Sequence, residues 1–423
     1  MTIAAIIAEY NPFHNGHEYM IQKVKEETGA DYVIAVMSGD FTQRGIPGIA
    51  DKHTRAKMAV SCGADAVFEL PVRFATASAE QFATGAVALF NALSCVDYLC
   101  FGSECGKLAD FTSATDLLFN EPEEFKNIIQ KHLREGLSYP KAFSIAIKES
   151  SAASGLPSEL LEHPNNLLGL EYMKALKKLA SGIKPHTISR TGTGYHDEHS
   201  SFSKESGTLI ASASAIRQSL TGKTGTIATA QPLLPPEAYR TFAESYGISA
   251  PVTLDDFSLL LSTRIAAETK ESLAAFLDVP KELADRIYRL RDEFMSFTEL
   301  IEAIKHKQYT YARINRTLLH ILLGLKENNG NLRTATSDTS APLVPYARLL
   351  AMKKSASPLM KEIKEHSKIP IITKPAEARK VLDESALATF LEDVAAADLY
   401  NRVVSSKFDT EFKTDMKHPI ELL

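Results

Sequence analysis

The sequence is poor in cysteine and lacks any long apolar run. Its four cysteines, Cys62, Cys95, Cys100 and Cys105, form no CxxC pattern, and two of them lie in or beside an apolar run, which favours buried side chains over metal ligands. The N-terminal apolar run is short, contains Glu9 and follows no basic residues, so it predicts neither a signal peptide nor a membrane anchor. These features predict a cytoplasmic protein with no membrane partner and no metal site in its own side chains.

Net charge is also small, but it is unevenly distributed. The chain carries 47 Lys and Arg against 52 Asp and Glu, a formal net charge of −5 that argues against nucleic acid when averaged over the chain. Residues 305–380, however, contain 15 Lys or Arg against 5 Asp or Glu, which favours RNA contact in that region. The length of 423 residues exceeds the usual size of a single core and predicts at least two domains.

The first 222 residues alternate short apolar runs with helical patterns, as parallel βαβ units do. The predicted strands are Ile3–Ala8, Tyr32–Met37, Ala66–Leu70, Val96–Phe101 and His186–Ser189, and the predicted helices are Glu18–Glu27, Lys52–Cys62, Ala79–Leu93 and Asn165–Leu179. We expect a Rossmann-like, doubly wound parallel α/β sheet over 1–222, a linker over 223–240 and a mainly α-helical C-terminal domain over 241–423. Such a sheet binds its ligand at the carboxyl ends of its strands.

Two histidines and a glycine follow the first predicted strand in the stretch AEYNPFHNGH, residues 8–17. Asn11-Pro12-Phe13 predicts a turn, and the next four residues begin a helix. Backbone N–H groups at a helix N-terminus attract phosphate, and Gly16 allows a close approach. His14 and His17 lie about one helical turn apart, so both can hydrogen-bond the oxygens of a phosphoryl group in a charged transition state. Alone, an HxxH pair is more often two turn residues or part of a zinc site.

The HxGH pattern at a strand-to-helix junction resembles the signature of nucleotidyltransferases and class I aminoacyl-tRNA synthetases. These enzymes carry a second element of the form I-S-S-T-x-I-R, whose hydroxyls and arginine hold the β- and γ-phosphates. The candidate is IASASAIR, residues 210–217, with Ser212, Ser214 and Arg217. Ala213 replaces the middle serine, but Ser214 keeps the last hydroxyl. An arginine fork beside hydroxyls at a helix start suits a polyphosphate.

Further candidates follow the other predicted strands. Gly102, just past the fourth strand, allows a base or ribose to lie against the backbone. Asn165 or Asn166 is the expected N-cap of a helix, and one of them is a candidate nucleotide contact, with Asn165 preferred. Arg190 follows the last predicted strand, where a ligand is expected; a surface arginine is the alternative. The Gly-rich loop in 37–60 is expected to border the second substrate, whereas its basic residues Lys52, Arg55 and Lys57 also fit a solvated helix face.

The basic region 305–380 combines arginine, lysine and aromatic residues in KHKQYTYARINRT and in MKKS. Arg313 and Arg316 lie one turn apart if this segment is helical, and they would present one basic stripe to a phosphate backbone. Lys353 and Lys354 add a second basic pair. The alternative is an ordinary solvated helix face. We expect these four residues to contact RNA.

The motifs AEYNPFHNGH, MSGDFTQRG, FGSE, PNN, SRTGTGYHD and IASASAIR occur in this order, together with YTYARINRTLLHILL. The chain resembles the bacterial tRNA(Met) cytidine acetate ligase family over nearly its whole length. That resemblance implies an ATP-dependent ligase that makes acetyl-adenylate and acetylates N4 of the wobble cytidine of elongator tRNA(Met). It implies ATP contacts from Gly102, Asn165, Arg190 and the opening segment Ile7, Ala8, Glu9, Tyr10, Asn11, Pro12, Phe13, His14, Asn15, Gly16, His17, Glu18, Tyr19 and Met20.

The residues suggest a mechanism consistent with that resemblance. We expect His14 and His17 to stabilise the charge on the α-phosphate, Ser214 and Arg217 to bind the leaving pyrophosphate, and Mg²⁺ to bridge the phosphates. The expected partners are acetate and tRNA, and not DNA. Two alternatives remain: a small-molecule adenylyltransferase or ligase of the same superfamily, and a non-catalytic RNA-binding protein that has kept a nucleotide pocket.

Overall fold

The computed structural model describes residues 1–423 except 121, 138, 151–159, 161–162, 190–200, 203–207, 223–224, 307–308 and 328–341. The strands are β1 Ile3–Ala8, β2 Tyr32–Ser38, β3 Ala66–Leu70, β4 Tyr98–Ser103, β5 Lys184–Ser189, β6 Ser201–Phe202, β7 Leu209–Ile210, β8 Ala347–Met352, β9 Ile371–Ile372 and β10 Glu421–Leu422.

The helices of the first half are α1 Asn15–Thr28, α2 Lys52–Ser61, α3 Val72–Ala75, α4 Ala79–Leu93, α5 Leu108–Asn120, α6 Glu123–Arg134, α7 Tyr139–Glu149, α8 Pro164–Lys178 and α9 Ala213–Thr221. Those of the second half are α10 Ile227–Ala230, α11 Pro236–Ser245, α12 Ser258–Ala266, α13 Lys270–Leu273, α14 Lys281–Leu290, α15 Phe297–Ile304, α16 Tyr311–Leu323, α17 Ser357–His366, α18 Ala378–Val381 and α19 Glu384–Phe408.

The main sheet has the strand order β10-β8-β3-β2-β1-β4-β5, with β9 paired to β8. Strands β1 to β5 are parallel to one another. The chain starts in β1, builds outward through β2 and β3, and then returns to the other side of β1 with β4. The carboxyl ends of β1 and β4 therefore border the crevice where such sheets bind ligands. The predicted Rossmann-like class is confirmed.

Alternate residues of the strands point to opposite faces of the sheet. In β1, Ile3 and Ala5 belong to the apolar cluster shared with α4 and α8. Ala4 and Ile6 belong to the cluster shared with α1, α2 and α9. A third cluster lies among α12 to α16 and α19, and it forms the mainly helical C-terminal region. Burial on both faces explains why these strands read as nearly continuous apolar runs.

The sheet does not end at the predicted linker, because β8 of the C-terminal half pairs antiparallel with β3.

A buried ion cluster lies at the junction of β3 and β8. Lys52 of α2 contacts Glu69 of β3 at 2.8 Å and Asp415 at 2.9 Å, and Arg348 of β8 pairs with both carboxylates. Part of the segment assigned to a separate C-terminal domain thus completes the sheet. The alternative of a solvated helix face is wrong for Lys52 and Arg55, which are both buried.

Candidate active site

The turn after β1 carries the two histidines at the N-terminus of α1. His14 is the N-cap residue, with an extended backbone, and its Nδ1 accepts from Gly16 N at 3.2 Å. In return, His17 Nδ1 accepts from His14 N at 3.2 Å. The two imidazoles therefore form a reciprocal capping box, a motif usually made by Ser or Thr at the N-cap and Glu or Gln three residues later. The local sequence fixes both rings at the helix start, at the carboxyl end of β1.

The two rings are stacked, with centroids 3.7 Å apart. Tyr10 and Phe13 pack against His17 at 4.9 and 5.4 Å. Because each Nδ1 accepts a backbone N–H, the ring proton of the neutral tautomer is on Nε2 in both histidines. Each imidazole can therefore donate from Nε2 to an oxygen, which is what stabilising a phosphoryl group requires. Gly16 lies under the His14 ring, where a Cβ would be only 3.1 Å from Cε1.

The second motif lies against this turn. Arg217, in α9, donates from Nη1 to the main-chain oxygen of Asn11 at 2.7 Å and from Nη2 to Ser214 Oγ at 3.1 Å. Ser212 caps α9 by accepting from Ala215 N, so its hydroxyl serves the helix. Ser214 is exposed one residue into the helix. Ser214 and Arg217 of the second motif thus lie beside the turn that leads to His14 and His17. Their roles at the phosphates of a nucleotide stay predictions.

A loop after β2 adds a residue that the sequence analysis did not single out. Arg44 donates from Nη1 to Ser214 Oγ at 3.2 Å. The same loop is tied to the turn after β1, because the Asn11 side chain accepts from Ile49 N at 2.7 Å and donates to Pro47 O at 3.2 Å. The available signal was an arginine in a Gly-rich loop at the carboxyl end of the strand next to β1.

The end of β4 forms the other side of the crevice. Gly102 pairs with Ile188 of β5 near the carboxyl end of the strand. Beyond it, Asn166 is fully buried and accepts from Glu104 N at 2.9 Å, whereas Asn165 is half-buried and donates to Glu104 Oε1 at 2.6 Å. Asn166 therefore holds the β4 loop, and Asn165 is the more accessible of the two. The expected asparagine N-cap is wrong, because α8 begins at Pro164 and its N-cap is His163.

The remaining nucleotide-contact candidates lie on β1, in the turn or on the first turns of α1. Glu9 accepts from Gln43 N at 2.9 Å and so contacts the β2 loop. Asn15 donates to Leu209 O and Pro232 O. Burial raises the pKa of Glu18 above its ordinary value. Ile7, Ala8, Glu18, Tyr19 and Met20 are half-buried, whereas Tyr10, Asn11, Pro12, Phe13 and Asn15 are buried. Arg190 lies outside the described residues.

The four predicted RNA contacts differ in their exposure. Arg313 is partly exposed on α16, but Arg316 is 9% exposed and donates to Gln43 O at 3.5 Å. The expected stripe of two exposed arginines is therefore wrong for Arg316, because the β2 loop covers it. Lys353 and Lys354 follow β8; the former pairs with Asp65 at 3.3 Å, and the latter is exposed.

The described part of the chain has neither a cluster of metal ligands nor a helix that could span a membrane. No cluster of three His, Cys, Asp or Glu side chains there has the arrangement of a metal site. Within the same residues, no helix combines the length and apolar character needed to cross a bilayer.

Comparison with known proteins decides the family. A family model described as HIGH Nucleotidyl Transferase matches residues 1–415. The chain belongs to the HIGH nucleotidyltransferase family. The relatives of this HIGH nucleotidyltransferase include the tRNA(Met) cytidine acetate ligase of Acetivibrio thermocellus, 36% identical over 95% of this chain and 94% of that protein. The protein of the same name from Clostridium novyi is 37% identical over 98% of both. The resemblance found in the sequence is confirmed.

Solved structures agree with this assignment. Thermotoga maritima TmcAL bound with alpha-thio ATP matches this HIGH nucleotidyltransferase with a TM-score of 0.86 and 28% identity, and the match covers 100% of both chains. The apo form of the same protein gives a TM-score of 0.87. The likeness therefore extends over the C-terminal helices as well as the sheet.

Proposed function

We propose that this chain uses ATP to convert acetate into acetyl-adenylate, and then acetylates N4 of the wobble cytidine of elongator tRNA(Met). The observation that carries the proposal is the contact between Arg217 and Asn11, which holds the second motif against the turn that carries the first motif. Support also comes from full-length relatives named tRNA(Met) cytidine acetate ligase and from a similar structure solved with an ATP analogue.

In the first step, an acetate oxygen attacks the α-phosphorus, and the bond to pyrophosphate breaks. Negative charge builds on the α-phosphoryl oxygens and on the departing pyrophosphate. His14 and His17 donate from Nε2 to the α-phosphoryl oxygens. Ser214 and Arg217 bind the β- and γ-phosphates, so the electron pair leaves with a group that is already held by donors.

The adenosine end extends toward β4, across the crevice from the histidines. Gly102 offers backbone without a side chain, and Asn165 offers an amide at the start of α8. Arg190 joins this set by the family resemblance. The opening segment from Ile7 to Met20 supplies the remaining wall of the ATP site.

The second step consumes the mixed anhydride. The N4 amine attacks the acyl carbon, the bond to the phosphate oxygen breaks, and AMP leaves while the nitrogen loses a proton. The anhydride must meet the cytidine before water does, so the tRNA must dock close to the adenylate. Arg313, Lys353 and Lys354 are the accessible residues of the predicted basic set, and we assign these three to tRNA. Arg316 lies beneath the β2 loop and is left out of this assignment.

The donors that contact Ser214 are the guanidinium groups of Arg44 and Arg217. These groups suit phosphate oxygens, whereas Mg²⁺ requires oxygen ligands. The site therefore does not fit Mg²⁺ by its own side chains, and we assign that ion only to the oxygens of ATP itself.

Two measurements test the proposed function. Acetate-dependent exchange of labelled pyrophosphate into ATP reports the first step, and mass spectrometry of tRNA incubated with ATP and labelled acetate reports the second. Exchange that depends on a different acid would favour the small-molecule ligase. Absence of exchange with any acid, together with tRNA binding, would favour the RNA-binding protein.

A further inference from the structure

The Ser214 hydroxyl accepts hydrogen bonds from two arginines that lie far apart in the sequence. Ser214 Oγ accepts from Arg217 Nη2 at 3.1 Å and from Arg44 Nη1 at 3.2 Å. A serine oxygen has two acceptor lone pairs and one donor proton. Both lone pairs therefore accept from guanidinium groups. Two positive groups thus meet at one exposed hydroxyl.

The loop that carries Arg44 is fixed on the side of β1. Gly45 N donates to Thr42 O and Thr42 N donates to Ile46 O, both at 2.9 Å, which closes a tight turn around Arg44. The backbone N of Gln43 donates to Glu9 Oε1 at 2.9 Å. The backbone on either side of Arg44 is therefore held before any ligand arrives.

The loop is also fixed on the side of the helical region. Phe41 packs in the apolar core of the helical region, and the Phe41 ring lies 5.5 Å from the Phe257 ring. Gly45 has a φ of +72°, and a Cβ there would lie 2.4 Å from Arg316 N, so the turn rests directly on α16. Tyr400 Oη donates to Gly48 O at 2.9 Å. Arg44 is presented by a rigid segment, which lowers the entropy cost of ligand binding.

A polyphosphate matches this arrangement. Guanidinium groups bind phosphate oxygens through paired N–H donors. Arg217 already uses Nη1 on Asn11 O, which limits the number of N–H groups it can direct at a ligand. A second guanidinium on the same hydroxyl supplies additional donors, and an anion between the two cations lowers their mutual repulsion.

We propose that Arg44 binds the β- and γ-phosphates of ATP together with Arg217, and so acts on the pyrophosphate leaving group. This inference rests on the proposed function. It makes Arg44 specific for the polyphosphate part of the nucleotide, because the histidines contact the α-phosphate and the β4 side contacts the nucleoside.

The test is equilibrium binding of three probes to the full chain: an ATP analogue with a non-cleavable α–β bond, pyrophosphate and AMP. We expect Arg44→Ala to weaken binding of the analogue and of pyrophosphate by about tenfold or more, with AMP affinity changed by less than about twofold. Arg44→Lys keeps the positive charge but lacks the paired N–H donors of a guanidinium group. Its affinity for the analogue and for pyrophosphate should lie between that of the unmodified chain and that of Arg44→Ala.

Gln43→Ala is the matched control, because Gln43 makes its loop contacts through its backbone. It should bind all three probes as the unmodified chain does. Unchanged binding of the analogue by Arg44→Ala, or an equal loss for the analogue and AMP, would overturn the inference. Should the Ala variant fail to fold, Arg44→Gln and Arg44→Lys give the same comparison. Failure of the unmodified chain to catalyse acetate-dependent exchange would instead reject the proposed function.

Discussion

Arg217 and Asn11 are 206 positions apart in the chain, yet Arg217 Nη1 donates to the main-chain oxygen of Asn11 at 2.7 Å. This bond couples α9 to the turn that precedes His14. The guanidinium that we propose binds the leaving group is therefore placed by a direct contact with the turn that leads to the imidazoles. A charged donor on a main-chain acceptor also makes a stronger bond than a neutral one does.

Arg217→Ala should lower acetate-dependent ATP–pyrophosphate exchange by about 100-fold or more, because it removes a preorganised cation from the developing negative charge. Arg240→Ala is the control, since Arg240 is an exposed helical arginine paired with Glu237. Equal activity of the two variants would remove Arg217 from the phosphate site.

His17→Ala should reduce adenylate formation by about 100-fold or more while leaving tRNA affinity nearly unchanged. His17 donates to phosphate in our mechanism, and it lies in the first turn of α1 rather than in the basic region 305–380. The control is His186→Ala. This substitution removes an imidazole of β5 that is paired with Glu27 of α1. Loss of tRNA affinity together with exchange would show that the turn is misassigned. A melting curve separates this effect from the lost capping bond.

The sequence predicted the half of the site that depends on local pattern. The predicted bounds of β1, β3 and α4 match the structure, because apolar runs and helical patterns are readable within a short window. The HxGH turn was predicted for the same reason. Its pairing with Arg217 came from the family resemblance, since no local pattern joins residues so distant.

Long-range contacts account for what the sequence did not reveal. The run ARLLAM of β8 contains Arg348, which is buried only because Glu69 and Asp415 approach it from other elements. Arg316 was assigned to the surface for the same reason, since its cover comes from the β2 loop. Arg44 was overlooked because its partner, Ser214, lies 170 positions away.

The burial of Arg316 separates it from Arg313 in a tRNA-binding experiment. Arg313→Ala should reduce the slope of log affinity against log salt concentration by about 1, as expected for one lost phosphate contact. Arg316→Ala should leave the slope unchanged and lower the free energy of unfolding, because it uncovers the β2 loop. An unaltered slope for Arg313→Ala would remove that residue from the RNA surface.

Asp415 ties the C-terminal end to the sheet. Burial alone would raise its pKa, but Lys52 and Arg348 together with a bond from His53 hold that pKa well below the ordinary value. Asp415→Asn leaves Glu69 as the carboxylate that is paired with both Lys52 and Arg348. The substitution should lower the free energy of unfolding, measured by urea denaturation, by about 3 kcal/mol. Glu411→Gln, on an exposed residue of the same segment, is the control. A loss no larger than that of the control would show that the cluster contributes little.

His320 provides a pH-dependent test of the packing between α16 and α3. Burial lowers its pKa to about 4, and its ring bonds Leu277 O and Thr76. The unfolded chain binds a proton at about pH 6.5 and the folded chain does not, so this stability is present above pH 6.5 and is lost as the pH falls toward 4. Asp40 and Asp393 have the opposite effect on the pH dependence of stability. Burial raises their pKa values to about 7 and about 8, so the folded chain holds these protons more tightly and is stabilised as the pH falls.

These opposing carboxyls mask the effect of His320 in the wild-type curve alone, so the comparison must be with His320→Gln. The variant should be less stable at pH 7.5, because it loses buried hydrogen bonds. Between pH 7.5 and 5.5, the stability difference between the two proteins should shrink by about 1 kcal/mol, the linkage expected of one neutral buried histidine. Urea unfolding of both proteins at pH 7.5 and pH 5.5 measures the free energies of unfolding from which these differences are taken. Parallel changes in the two proteins would mean that His320 is protonated in the folded chain.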